Sequence, residues 1–224
     1  MRSLSTCICK YINSLQTKTR FIILMHPKEY KKEKKGTGFM THLQLENSEI
    51  IVGVDFTNHK RINEILTEEK STSFLLYPGK DSFNLSTRKS AEIHTVINTN
   101  ANIFILDGTW PCARKMLKLS KNLQALKRVS FDNKITSKFI IKQQPDPLCL
   151  STIESVYTVL NLLKKAELEK CDTKDFLIPF EKMIAYQLEY TLNPTHKNYC
   201  ASENSADIAK NLYKKPTERR VIFE

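Results

Sequence analysis

"NIFILDGTWPCARKM", residues 102–116, is the stretch on which the fold turns. Asn102 to Leu106 is almost continuously apolar instead of alternating, the pattern of a strand covered on both faces in a parallel sheet. The run ends on Asp107, Gly108, Thr109 and Trp110, the only tryptophan of the chain. From Trp110 to Gln124 the period changes. Ala113, Met116, Leu117 and Leu123 share one helical face, and Arg114, Lys118 and Lys121 lie on another. Strand, tight turn and amphipathic helix follow one another with no spare residues.

The same kind of strand recurs at Phe21 to Met25, Glu49 to Phe56, Phe74 to Tyr77 and, less clearly, Leu126 to Phe131. Helical stretches separate them, at Asn58 to Lys70 and Arg88 to Asn98, and two more follow at Ser151 to Lys170 and Lys174 to Leu192. The order predicts an α/β fold, a mostly parallel sheet flanked by helices, with a helical C-terminal portion. The expectation is one domain over residues 1–224, with its core in about 7–192, a partial cysteine-containing segment at 1–19 and a basic tail at 195–224. Lys28 to Gly38 and Lys142 to Cys149, the latter with Pro145 and Pro147, read as loops. Ser205 to Lys214 has room for a short helix in the tail.

The 224 residues carry 35 Lys plus Arg against 24 Asp plus Glu, a net charge of +11 that suits a polyanionic partner. No apolar run approaches the length of a membrane span and none near Met1 resembles a secretory signal, so the expected setting is cytoplasmic, without a membrane. The cysteines at 7, 9, 112, 149, 171 and 200 lack the dense spacing of a disulfide framework. Cys7 and Cys9 form a lone C-x-C, at most half of a zinc site.

In an open parallel sheet, ligands sit beyond the carboxyl ends of the strands. The residues placed there are His26 to Glu29, Asp55, Tyr77-Pro78-Gly79 and Asp107-Gly108-Thr109-Trp110. Gly79 and Gly108 would let backbone approach a ligand, and Thr109 is placed to cap a helix with Pro111 in its first turn. Each also has a plain structural reading. Asp-Gly and Pro-Gly are common turn dipeptides, a histidine before proline is ordinarily a loop residue, and Ser151-Thr152-Ile153-Glu154 matches a capping box.

The charge distribution is less ambiguous. Between Gly108 and Phe131 stand Arg114, Lys115, Lys118, Lys121, Lys127 and Arg128 with no acidic residue. A solvated helix face ordinarily mixes both signs. The run from Lys28 to Lys35 adds Lys31, Lys32, Lys34 and Lys35, tempered by Glu29 and Glu33. A polyanion held on these residues would be delivered to the Asp-Gly-Thr-Trp corner.

Asp107-Gly108-Thr109-Trp110 resembles the D-x-T-W signature of DTW-domain proteins, the tRNA-uridine aminocarboxypropyltransferases. The likeness extends in family order through LMHPKE (24–29), GTG (36–38), LLYPG (75–79), LDGTWPCARKM (106–116) and CLSTIES (149–155), spanning about Cys7 to Leu192. It implies transfer of the 3-amino-3-carboxypropyl group of S-adenosylmethionine, as co-substrate, to N3 of a tRNA uridine, with release of methylthioadenosine. It also implies a SPOUT-like fold with a knotted cofactor site, which no periodicity in the sequence indicates.

On that resemblance Asp107, Thr109 and Trp110 are the catalytic candidates. Asp107 would accept the N3 proton or favour the sulfonium cation, Thr109 would hold the amino acid moiety or cap the helix, and Trp110 would stack on a base or close the cofactor pocket. Tyr77, Pro78, Gly79, Gly108, Ser151, Thr152 and Glu154 would frame the cofactor. Lys31, Lys32, Lys34, Lys35, Arg114, Lys115, Lys118 and Lys121 would hold tRNA phosphates. No obligatory protein partner is evident.

Two departures from the family stand out. Relatives carry a C-x-x-C pair ahead of the C-x-C, whereas only Cys7 and Cys9 occur here, so either the natural start lies upstream or the metal is lost. Where an arginine-containing pattern is expected before Pro145, the chain has Lys142, which cannot form a bidentate fork. A SPOUT-type RNA methyltransferase using the same donor, and a tRNA-binding protein without catalysis, are the competing readings.

Overall fold

The computed structural model describes residues 7–32, 36–132, 137–139 and 149–192. Six strands form one sheet: β1 (Arg20–Met25), β2 (Ser48–Val52), β3 (Thr72–Leu76), β4 (Phe83–Asn84), β5 (Ala101–Asp107) and β6 (Lys127–Ser130), in the order β2-β1-β5-β3-β6-β4. Every pairing is parallel. The α/β expectation holds, and the first five strands found in the sequence all appear. β4 had no signal in the sequence, because two residues carry no period.

The helices are α1 (Pro27–Lys32), α2 (Thr37–Gln44), α3 (Lys60–Leu66), α4 (Ser90–Val96), α5 (Trp110–Leu119), α6 (Lys121–Gln124), α7 (Thr152–Lys165) and α8 (Ile178–Leu192). Strand alternation divides the core into two layers. Phe21, Phe74, Ile103, Ile105 and Val129 face α2, α4, α7 and α8, while Ile22, Leu24, Leu75 and Phe104 face α3, α5 and α6. β5 lies between β1 and β3 and is covered on both faces, so its near-continuous apolar run is explained by position. Truncating a fully buried side chain such as Phe104 to alanine would cost about 3–5 kcal/mol.

Several boundaries differ from the expectation. The segment from Lys28 to Gly38, read as a loop, contains α1 and the start of α2. Pro27 opens α1 with its fixed φ, and the Lys28 N–H donates to His26 Nδ1 at 3.1 Å, so histidine takes the role of the cap. The second strand stops at Val52, short of Phe56. The helix expected from Trp110 to Gln124 breaks at Ser120, a buried residue whose Oγ accepts the Phe56 N–H at 3.0 Å. α7 ends at Lys165 instead of Lys170, where Glu167 turns left-handed at φ 62° and the Leu168 N–H closes back on Leu163 O at 2.9 Å. α8 starts only at Ile178. Lys142, Pro145, Pro147 and the tail with its short helix lie outside the described residues. Among the described residues no helix is long and apolar enough to cross a membrane.

Candidate active site at the carboxyl edge of the sheet

Register brings the strand ends together. Met25 pairs with Asp107 and Val52, Leu76 pairs with Ile105 and Val129, and the residues that follow, His26, Tyr77 and Gly108, emerge on one edge. β1, β5 and β3 are neighbours there, although the chain visits β2 and β3 before returning to β5. That reversal of direction is the crevice where open α/β sheets accept ligands.

Asp107 follows Ile103 and Ile105 in the alternation and so turns toward the α2 and α7 layer. It is 7% exposed. Thr152 Oγ1 donates to its Oδ1 at 2.5 Å from the first turn of α7, and Gly38, in the first turn of α2, abuts its Oδ2. A Cβ at position 38 would stand 2.5 Å from Oδ2 and 3.0 Å from Met25 Cε. Two helix N-termini therefore converge on one buried carboxylate, and both dipoles favour its negative form. The Asp107 carbonyl oxygen accepts the His26 N–H at 2.9 Å, which joins β5 to the start of α1.

His26, expected as a loop residue, is buried beside this corner. Burial, with the Lys28 and Lys115 charges, pushes its pKa down, although Glu29 opposes them. A neutral ring suits its acceptor role toward Lys28. Gly108 has no positive φ; it fits between the Cβ atoms of His26 and Cys112, each 3.3 Å from where its own Cβ would be. Packing is what requires glycine there.

The neighbouring candidates lie on the other side of the sheet. Tyr77 joins the layer of α5, and its ring meets Trp110 edge to face at 6.4 Å between centroids. Both rings are half-buried. Burial raises the Tyr77 pKa, opposed by the charges of Arg114 and Arg128. Arg128 lies over the Tyr77 ring at 5.6 Å, and a Cβ on Gly79 would come within 3.0 Å of its Nη1. Pro78 is half-buried between them. Thr109 holds the cap position of α5, but its hydroxyl makes no capping bond and the residue is exposed at the rim.

Ser151 and Glu154 form the capping box read from the sequence, with Glu154 accepting the Ser151 N–H at 2.9 Å. The same carboxylate also accepts from Ser151 Oγ, Ser137 Oγ and the Lys138 N–H at 2.6, 2.8 and 2.7 Å. Glu154 thus ties residues 137–138 to the start of α7 and acts on the site through Thr152. Its charge is saturated within the chain.

The basic residues are unevenly placed. Lys31, Arg114, Lys115 and Lys118 are exposed, and Lys115 is close enough to His26 to act on its charge. Lys121 is exposed too, but Asp55 lies in its field, a residue fixed by Thr57 through bonds of 2.9 and 2.7 Å. Lys118 is about 12 Å along the helix axis from Trp110 at 1.5 Å per residue. Nothing is described for the side chain of Lys32 or for Lys34 and Lys35.

Cys7 and Cys9 border a short 3-10 turn at Cys9–Tyr11, and among the described residues no group of three or more metal-ligating side chains forms. Two thiols do not make a zinc site. An open hollow of about 520 Å³ at the amino-terminal edge of the sheet includes Thr17, Lys18, Asn47 and Glu169. There Glu169 is buried and accepts the backbone N–H groups of Lys18 and Thr19, an anchoring role. The carboxyl edge is the better site.

Gly38 and Arg128 were absent from the candidates read in sequence. The GTG at 36–38 carried a signal for Gly38 through the family likeness, whereas the stacking of Arg128 on Tyr77 needs the β3–β6 pairing and could not be read.

Comparison with known proteins agrees with this location. The DTW domain family matches residues 1–188. Proteins called tRNA-uridine aminocarboxypropyltransferase 2 are similar over most of the chain: that of Drosophila melanogaster is 30% identical across 91% of this chain and 76% of its own, and that of Mus musculus 24% across 84% and 62%. The protein of Macaca fascicularis is likewise 24% identical over 84% of this chain. The chain thus spans 62% of the length of the two mammalian relatives. No solved structure matches. With the family's D-x-T-W residues at the closing turn of the central strand and its match running over most of the length, this chain belongs to the DTW domain family.

Proposed function

We propose that the protein transfers the 3-amino-3-carboxypropyl group of S-adenosylmethionine to N3 of a uridine in tRNA. The observation that carries the reading is the buried Asp107 carboxylate, set between the first turns of α2 and α7 at the carboxyl edge, with the half-buried Tyr77 and Trp110 beside it. The names of the relatives supply the reaction class.

The donor supplies an electrophilic carbon already bonded to a good leaving centre, its sulfonium. Uridine N3 forms a bond to that carbon while the carbon–sulfur bond breaks, and the electron pair stays on sulfur in methylthioadenosine. The N3 proton must leave. Asp107, held by Thr152 on Oδ1, accepts it, and before the proton moves the same negative charge favours the cationic donor. Tyr77 and Trp110 offer aromatic surface for the uracil or adenine ring, and Thr109 offers a hydroxyl at the rim. Pro78, Gly79, Gly108, Ser151 and Thr152 shape the crevice, and Glu154 sets α7. Orientation of two bound reactants provides most of the rate.

Lys31, Arg114, Lys115 and Lys118 give a phosphate-binding surface that fixes register without reading bases. The protein works without a membrane, in the cytoplasm, and zinc has no part in the chemistry.

The test is nucleoside mass spectrometry of tRNA incubated with the full chain and S-adenosylmethionine. A uridine heavier by the aminocarboxypropyl group, with methylthioadenosine released and both lost in Asp107→Asn, is the expected result. A methylated base with S-adenosylhomocysteine would replace this reading by a methyltransferase. Tight tRNA binding with no product from any donor would leave a binding protein.

A further inference from the structure

Three described arginines have carboxylate partners: Arg20 with Glu49 and Glu68, Arg61 with Glu49 and Glu64, and Arg88 with Glu92. Arg114 and Arg128 have none among the described residues, and both act on the Tyr77 hydroxyl. Arg128 differs from the exposed lysines of α5 in being positioned. On β6 it pairs with Leu75 in register, so Tyr77 lies diagonally across on the next strand and on the same face. Val129 beside it points into the opposite layer. The guanidinium rests over the Tyr77 ring, and Gly79 leaves room for its Nη1. A guanidinium fixed on an aromatic face, half-buried and without an acid partner keeps its fork of donors for an oxyanion from outside.

We propose that Arg128, stacked on Tyr77 and backed by Gly79, is the anchor for one backbone phosphate of the RNA strand that enters the site, rests on the reading of RNA as substrate, and fixes that strand beside Trp110. The lysines supply the diffuse field and Arg128 supplies the register. A carboxylate of the donor is the other oxyanion available. It sits only three carbon–carbon bonds from the reacting carbon, which must lie near Asp107, on the α2 and α7 side of the sheet. Arg128 faces the α5 side, continuous with Arg114 and Lys115, where a polyanion meets further positive charge.

The experiment measures tRNA affinity of the full chain across a salt series, and S-adenosylhomocysteine affinity by calorimetry, for the wild type, Arg128→Met and Arg128→Lys. Removing one phosphate contact should flatten the slope of log affinity against log salt by about 0.7–0.9. Arg128→Met is expected to show that change with about tenfold weaker tRNA binding and unaltered S-adenosylhomocysteine binding. Arg128→Lys should keep the slope and lose about threefold in affinity, because an ammonium cannot fork. It also decides the matter if the methionine variant fails to fold. An unchanged slope and affinity, or a loss confined to S-adenosylhomocysteine, overturns the assignment. Wild-type protein that binds no tRNA at any salt concentration would overturn the RNA reading itself.

Discussion

Gly38→Ala is the smallest change that reaches the proposed reaction centre. The added methyl would stand 2.5 Å from Asp107 Oδ2 and 2.8 Å from its Cγ, where ordinary contact begins near 3.4 Å. The carboxylate must therefore retreat by roughly 1 Å, and little around it can yield. Oδ1 is tied to Thr152, the backbone oxygen to His26, and Met25 Cε closes a third side at 3.0 Å. The same substitution favours helix α2 by about 0.5–1 kcal/mol, since glycine is the poorer helix former. Steric cost and helical gain partly offset, so the melting temperature should move little. Turnover should not escape: a displacement of this size costs about a hundredfold, close to 2.7 kcal/mol of barrier. Transfer to tRNA at saturating donor, followed by nucleoside mass spectrometry, reads the effect. Gly53→Ala is the control, because its Cβ would meet the Phe56 ring at 2.6 Å, away from Asp107. It should lower stability and leave turnover per folded molecule intact. Full turnover in a folded Gly38→Ala protein would refute the placement of Asp107 in the chemistry.

Thr152→Val keeps shape and removes the donor to Asp107, so turnover should drop about 10–100-fold, the range of a hydrogen bond to a charged group, with tRNA affinity unchanged in the same binding assay. Glu154→Gln replaces one acceptor among four donors with an NH₂ group and should cost about 2–3 kcal/mol, seen as a melting temperature lower by roughly 5–10 °C. Glu49 titrates at about 2, held down by Arg61 and Arg20 against its partial burial. Its folded value lies below the ordinary 4.5, so its contribution is present above pH 4.5 and lost as pH falls toward 2. Solvent screening reduces that contribution to ~1 kcal/mol. Acid unfolding of Glu49→Gln, followed by circular dichroism, should show a correspondingly shallower loss of stability in that window.

The parallel sheet was legible because its strands are buried on both faces: Asn102 to Leu106 and Phe21 to Met25 are apolar without interruption, and only a central parallel position asks for that. β4 and α1 were not legible for opposite reasons. Phe83–Asn84 is too short to carry a period, and the lysines of Lys28 to Lys35 hid a helix whose start depends on a histidine cap. The break at Ser120 depends on a partner 64 residues away, Phe56. The corner at Asp107 to Trp110 stood out as composition, yet turn chemistry explained it equally well. What separates turn from site is that α2 and α7, which begin 70 residues before Asp107 and 45 after it, place Gly38 and Thr152 on its carboxylate. Thr109 shows the reverse. Its pattern suited a cap, and its hydroxyl caps nothing.

Strand alternation also separates the site into two working sides. Asp107 follows Ile103 and Ile105 into the layer of α2 and α7, whereas Tyr77 follows Leu75 into the layer of α5. Variants on the two sides should then act on different steps. Gly38→Ala and Thr152→Val should lower kcat with little change in the KM for tRNA. Glu in place of Lys118 and Lys121 should raise that KM and flatten its salt dependence by about 1.4–1.8, for two lost phosphate contacts, with kcat unchanged. The Asp55 charge near Lys121 should leave most of that effect with Lys118. Residues with no shared partners add in free energy, so Thr152→Val combined with Lys118→Glu should multiply the two losses in kcat/KM. A marked departure from that product would mean that the α5 surface and the Asp107 corner act as one element, and that RNA binding helps to set the carboxylate.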